Sequence, residues 1–180
     1  TTGSGNDVIH GGGGADIIAA GGGNDAVDFW GSEAAVDGGT GTNTLVLKAS
    51  VTIDLSAIDQ SLADLADVTH FTHVDASAVG TGVTVTGSSD ANTLTGGSGA
   101  DLIDGNGGTD TVNFIFKQYA TGGVTLEGTA GKDWILSSTG IDTMTGGAGH
   151  DNFVFVPSSG QDTITDFTQG DDKIDLHMLT

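Results

Sequence analysis

Residues 2–28 read TGSGNDVIH GGGGADIIA AGGGNDAVD, three nine-residue units in which Asp7, Asp16 and Asp25 recur at the sixth position and Ile9, Ile18 and Val27 at the eighth. So short and regular a period marks a chain built by stacking one small unit, and it is read before any single motif. The frame runs on through FWGSEAAVD (29–37) and GGTGTNTLV (38–46), where Val36 and Leu45 keep the apolar position while the sixth becomes Ala34 and Asn43. It returns over 87–113 as GSSDANTLT, GGSGADLID and GNGGTDTVN, with Asn92, Asp101 and Asp110 at position six and Leu94, Ile103 and Val112 at position eight. A third block, GTAGKDWIL, SSTGIDTMT and GGAGHDNFV over 128–154, places Asp133, Asp142 and Asp151 at six and Ile135, Met144 and Phe153 at eight. The apolar position survives where the carboxylate is lost, so packing and charge are separable roles of the unit.

Glycine at positions one, two and four supplies backbone that turns with positive φ and approaches other atoms without a Cβ in the way. The residues after the Asp carry one inward apolar side chain between outward neighbours, enough for a very short strand. One unit is half a coil, and two units close a rung of 18 residues. Units n and n+2 therefore stack, which puts Asp7, Asp25 and Asn43 along one edge and Asp16 on the other.

Charge narrows the function. The chain of 180 residues has 24 acids, of which only Glu33 and Glu127 are Glu, against four Lys, for a formal charge of −20. Binding to nucleic acid or to an anionic membrane surface needs a cationic footprint that such a chain lacks. With no Cys, disulfide frameworks and thiolate metal sites are excluded. No apolar run reaches the roughly 20 residues of a membrane span. Carboxylates stacked about one strand spacing apart, ~4.8 Å, repel one another unless something positive lies between them. Four Lys are too few for that. Asp oxygens together with free carbonyls on a glycine turn suit Ca²⁺, which accepts six to eight oxygen ligands in irregular geometry, better than Mg²⁺, which holds its waters.

The pattern G-G-x-G-x-D-x-U-x, with U apolar, resembles the RTX nonapeptide of hemolysin-type calcium-binding proteins. The resemblance implies an all-β fold, a parallel β-roll or β-solenoid with Ca²⁺ held between the turns of units n and n+2. The position-six residues and backbone carbonyls of the early turn positions are the implied ligands. On this sequence the implied metal residues are Asp7, Asp16, Asp25, Asn43, Asn92, Asp101, Asp110, Asp133, Asp142 and Asp151, with Asp162 in the tail. The turn glycines are Gly3, Gly5, Gly12, Gly14, Gly22, Gly97, Gly99, Gly105, Gly107, Gly131 and Gly146. Asp7 is expected to pair with Asp25 and Asp133 with Asp151. Asn at a ligand position still offers one neutral oxygen, whereas Ala34 offers none. The resemblance further implies a secreted, extracellular or cell-surface protein exported by type I secretion machinery. The export signal is expected outside this segment, which reads as a fragment. The implied role is calcium-induced folding and stabilisation. The alternatives are a self-associating piece of a surface-layer protein or adhesin, and the non-catalytic C-terminal module of an extracellular protease, lipase or alginate epimerase.

Six segments follow: a first block over 2–46, longer rungs over 47–86, a second block over 87–113, connector strands over 114–127, a third block over 128–156, and a cap over 157–180. In the first connector Val51-Thr52-Ile53-Asp54-Leu55 and Val83-Thr84-Val85 alternate as strands, and Ser61 to Val68 is expected as a short helical turn or a loop. His70 and His73 are three apart, which on a strand sets them on opposite faces and speaks against a shared metal. Phe114, Phe116 and Tyr119 are expected to pack in the core or at an edge, and Trp30 and Trp134 to cover the surface. The offsets from Asn43 to Asn92 and from Asp110 to Asp133 are not multiples of nine, so the register must slip between blocks. No enzyme signature is present: there is no H-E-x-x-H or G-x-S-x-G, and Gly131-Lys132 is followed by Asp133 rather than Ser or Thr. Pairs of carboxylates among so many Asp carry no weight for glycoside hydrolysis. Catalysis, if the parent has any, is expected upstream.

Overall fold

The computed structural model describes residues 2–62, 66–97, 99, 101–114, 125–128, 130–137, 140–157 and 159–179. It is all-β, a parallel β-solenoid wound from strands of two to four residues. Such short strands follow from the unit itself, which holds one residue with an inward side chain before the next glycine turn begins. In the strand Thr93–Gly96, for example, Thr93 and Thr95 are half-buried while Leu94 is fully buried between them.

Among the described residues, nine strands form the front sheet. In spatial order they are Val8–Ile9, Ala26–Phe29, Thr44–Leu47, His73–Asp75, Thr93–Gly96, Thr111–Phe114, Trp134–Leu136, Asn152–Val154 and Lys173–Asp175. Every pairing between neighbours is parallel. Position eight stacks on position eight: Val27 lies beside Leu45, Leu94 beside Val112, and Ile135 beside Phe153.

The opposite wall has the same logic. Ile17–Ala19, Ala35–Asp37 and Asp67–Thr69 stack in one sheet, and Thr52–Asp54, Thr84–Thr86, Leu102–Asp104, Thr125–Glu127, Thr143–Thr145 and Thr163–Ile164 stack in parallel in another. Its inward row of Val36, Val68, Ile53, Val85, Ile103, Leu126 and Met144 is at most 1% exposed. The two rows meet as a single core, and burying each such side chain stabilises the fold by about 1.5–3 kcal/mol relative to exposure.

The register slips are resolved within this continuous stack. Between the first and second blocks, Val74 pairs with Leu45 on one side and Leu94 on the other, so the connector inserts one front strand. Between the second and third blocks a longer coil carries Thr111 to Trp134, again in parallel register. The segment expected as a helical turn or loop over 61–68 is different at both described ends. Ser61–Leu62 is a strand antiparallel to Thr52–Asp54, and Asp67–Thr69 stacks on Ala35–Asp37. The reversal is sealed by the Gln60 N–H donating to the Val68 carbonyl at 2.7 Å. Alternation between polar and apolar residues is too short there to distinguish a reversed strand from a loop.

Within the tail the described strands continue the stack. Thr163–Ile164 and Lys173–Asp175 extend the back and front sheets by one strand each, and a 3-10 turn follows at His177–Leu179. Phe116 and Tyr119 lie outside the described residues, as does the Phe114 side chain. Trp30 and Trp134 are each 45% exposed, as expected of surface covers.

Candidate metal centres

Each position-six residue sits where a glycine turn enters a strand, at the edge of the front or back wall. On the front edge these residues form a ladder. The Asp7 N–H donates to Asp25 Oδ1 at 2.9 Å and the Asp25 N–H to Asn43 Oδ1 at 2.9 Å. The ladder resumes with the Asn92 N–H to Asp110 Oδ1 at 2.8 Å, the Asp110 N–H to Asp133 at 3.0 Å, and the Asp133 N–H to Asp151 at 3.0 Å. The residues of both pairings implied by the resemblance, Asp7 with Asp25 and Asp133 with Asp151, are therefore direct neighbours. On the back edge the Asp142 N–H donates to Asp162 Oδ1 at 2.9 Å, and the Val83 N–H to Asp101 Oδ1 at 2.9 Å. Asp16 has Ala34 opposite it, whose N–H reaches the Asp16 carbonyl rather than a carboxylate.

In Asp25, Asp110, Asp133, Asp151 and Asp162 one carboxylate oxygen is thus spent on the ladder. Oδ2 is buried without any hydrogen-bond partner in Asp7, Asp16, Asp25, Asp110, Asp133, Asp151 and Asp162. Asp110 and Asp133 are wholly buried and Asp25 and Asp151 are 1% exposed. Leaving a charged oxygen dry and unpaired costs several kcal/mol, which natural structures seldom tolerate without a cation or a proton. The electrostatics agree. Burial pushes the Asp133 carboxyl up to about 7, against the Asp110 N–H it accepts, and the Asp110 and Asp151 carboxylates add to the rise. Burial likewise raises Asp110 to about 6, and it raises Asp101, Asp151 and Asp162.

At Asp110, Asp133 and Asp151 the turn leaves room for this arrangement because it begins with glycine. A Cβ on Gly105 would stand 2.8 Å from Asp110 Oδ2, and one on Gly128 or Gly146 would run into the Asp133 or Asp151 carboxylate. Turns also stack on turns. Gly107–Gly108, Ala130–Gly131 and Ala148–Gly149 form a small parallel ladder of their own. At Gly131, with φ of +134°, a Cβ would collide with the Gly108 carbonyl.

The remaining turn glycines differ in setting. The Gly3 carbonyl accepts from the Gly22 N–H at 3.0 Å, and the Gly5 carbonyl faces Gly23. Gly12 and Gly14 stand in open surroundings, Gly97 donates to Asp101 Oδ2 at 3.0 Å, and Gly99 packs on Thr81 and Gly82. Asp101 therefore has protein donors on both oxygens, unlike the seven residues above.

Among the described residues no three His, Asp or Glu side chains converge as a compact metal cluster. The rows instead deliver one carboxylate per rung, so any ion held there must draw most of its ligands from backbone oxygens. His70 and His73 do not converge. The His70 ring bonds Asp37 at 2.7 Å on the surface, and His73 Nδ1 accepts from the Thr93 N–H at 2.9 Å.

Two acids of the rows escape the nine-residue frame. Asp172 continues the front ladder, accepting from the Asp151 N–H at 3.0 Å, and Asp166 accepts from Gly146 and Gly147 at 2.9 and 2.7 Å. The signal available for Asp172 was the apolar Ile174 two residues beyond it, the same step that separates positions six and eight, whereas Asp166 is followed at that step by Thr168. Glu33 fills the broken fourth unit: buried to 2% exposure, it accepts from the Trp30 and Ser32 N–H groups and closes its own turn.

Comparison with known proteins agrees with this geometry. A search of curated proteins found no match. The family model of the RTX calcium-binding nonapeptide repeat, in four copies, matches residues 1–29, 84–114 and 125–155, just over half of the chain. Those spans contain every one of the seven residues with an unpartnered carboxylate oxygen except Asp162. The chain belongs to the RTX calcium-binding nonapeptide repeat family, and its stacked units form a calcium-binding repeat module.

Proposed function

We propose that this module folds in response to calcium and stabilises a secreted bacterial protein, with the ions seated along the carboxylate rows. The observation that carries the reading is the set of buried Oδ2 atoms without a donor. Asp7 with Asp25, Asp110 with Asp133, and Asp133 with Asp151 would hold ions on the front edge, together with carbonyls of the glycine turns. Asp16, and Asp142 with Asp162, would do so on the back edge. The ion supplies positive charge between like charges and ligands for oxygens that no N–H reaches. The protein supplies the spacing, through ladder bonds that fix Oδ1 of Asp25, Asp110, Asp133, Asp151 and Asp162, and the approach, through glycines that keep Cβ atoms away.

At low calcium the carboxylates of the rows repel, and the rungs that carry them have little reason to stay coiled. In millimolar calcium, sites with dissociation constants of about 10⁻⁴ to 10⁻³ M each contribute about 0.4–1.4 kcal/mol, and several sites add up to a domain's margin. That contrast suits a chain whose carboxylate rungs are left open in a low-calcium cytosol and close after export by type I machinery. Circular dichroism of the purified chain tests it. In excess EGTA the β signal is expected to fall well below its value in 5–10 mM (about the millimolar range of extracellular modules) CaCl₂, and to return on adding calcium. Full β structure in chelator, unchanged by calcium, overturns the reading.

A further inference from the structure

From the amide side chains along the middle of the solenoid we infer that residues 38–104 form a core that folds without metal, and that calcium is required only by the rungs on either side of it. The inference rests on the calcium reading of the outer rows. Its ground is chemical: at the centre of the front row a neutral amide takes the place that an ion would need.

Asn43 is fully buried, and its Oδ1 accepts the ladder N–H from Asp25. Its Nδ2 donates to the carbonyls of Gly38 at 2.8 Å and His70 at 3.0 Å. The orientation is fixed, because a flipped amide would set its oxygen against both carbonyls and its nitrogen against the Asp25 N–H. Two N–H bonds thus tie together oxygens of two successive rungs. Asn92, 1% exposed, repeats the arrangement: its Oδ1 accepts from the Ser88 N–H at 2.6 Å while Nδ2 donates to the Thr72 carbonyl at 2.9 Å. Gln60 does the same on the back wall, accepting from the Phe71 N–H at 2.8 Å and donating to the Phe71 and Leu55 carbonyls at 2.9 and 3.3 Å.

The orphaned oxygens respect the same division. Those of Asp7, Asp16 and Asp25 precede the core, those of Asp110, Asp133, Asp151 and Asp162 follow it, and Asp101 within it has a donor on each oxygen. The central coils are also longer than a regular rung and bury extra apolar side chains. Leu47, Leu55, Phe71, Val79 and Val83 join the position-eight row there, each at most 6% exposed. More apolar burial and, among the described residues, no buried carboxylate oxygen without a donor are what this segment has in favour of folding on its own terms. The outer rungs then have a preformed edge on which to stack when calcium arrives.

Hydrogen exchange followed by mass spectrometry on the full chain tests this, in EGTA and in calcium. In EGTA the amides of 44–47, 74–76, 84–86 and 93–95 are expected to exchange at least about tenfold more slowly than those of 26–29, 134–136 and 152–154, as befits separate cooperative units. Calcium should then slow the outer set to match. Uniformly fast exchange in EGTA, with uniform protection in calcium, overturns the inference and leaves the calcium reading standing. Outer rungs equally protected with and without calcium overturn the calcium reading instead. In the doubly substituted N43D/N92D chain, which removes the amide donors and adds two carboxylates, central protection in EGTA should drop to that of the outer rungs and recover in calcium. Central protection in EGTA unchanged by the substitutions would show that the amides are not what holds the core.

Discussion

The Asp133 N–H donates to Oδ1 of Asp151 across one rung at 3.0 Å, and Oδ2 of both residues is buried without a donor. The first half of that relationship is a backbone-directed bond that any β-roll could use in place of a ladder carbonyl. The second half is an electrostatic debt, and it recurs along both edges of the solenoid.

Replacing Asp133 by Asn keeps the oxygen that the Asp110 N–H needs and removes the charge. The calcium midpoint of the D133N chain in a circular-dichroism titration should rise by about three- to tenfold, the scale on which loss of ligand charge weakens calcium sites. An unchanged midpoint would mean that Asp133 is not a ligand.

Protons should substitute in part for calcium. The Asp133 carboxyl is raised by burial from 3.8 to about 7 and Asp110 to about 6. A carboxyl with a raised folded value favours folding fully below its unfolded value, near 3.8, and that contribution is lost as pH climbs through the folded values of about 6 and 7. The calcium-stripped chain should therefore gain β signal on acidification from pH 8 to about 5, and calcium binding in that window should release protons. A β signal in EGTA that is flat or falls on acidification contradicts the burial of these carboxyls.

Core and surface positions of one unit should separate cleanly. Leu94 is fully buried between Val74 and Val112, so Leu94→Ala should cost about 2–5 kcal/mol in saturating calcium. Val8, 70% exposed, should tolerate Ala within about 0.5 kcal/mol. Thermal unfolding of the two variants in calcium measures the difference.

Glycines of the turns should separate in the same way. Gly131 has φ of +134° and its Cβ would meet the Gly108 carbonyl, so Gly131→Ala should lower the melting temperature in calcium by several degrees, corresponding to about 1–3 kcal/mol of strain. Gly13 has open space where its Cβ would lie and no positive φ, so Gly13→Ala should leave the melting temperature within about a degree or raise it slightly.

The front row shows where reading the letters succeeds. The interval of nine places Asp7, Asp16 and Asp25 on alternating edges, and the ladder bond from Asp7 to Asp25 lies where two units per rung require it. Ile103, Leu126 and Met144 are buried at the inward position because one apolar side chain per short strand has nowhere else to go. Spacing failed once the period lapsed. Asp172 joins the row at a step of 21 residues, which the interval of nine does not reach, and only the apolar Ile174 two residues on separates it from Asp171, which has Lys173 there.

By itself, then, the sequence determined the repeating unit, the side of the coil that each residue faces, and the kind of ion suited to so many stacked carboxylates. These are consequences of periodicity and charge, which are local and additive. Only the tertiary structure decided that Val74 stands between Leu45 and Leu94, that Ser61–Leu62 runs backwards, and that the amides of Asn43 and Asn92 turn their nitrogens onto carbonyls of adjacent rungs. Those outcomes depend on which distant backbone groups remain unpaired once every coil has been laid on the last, a condition that no interval between letters encodes.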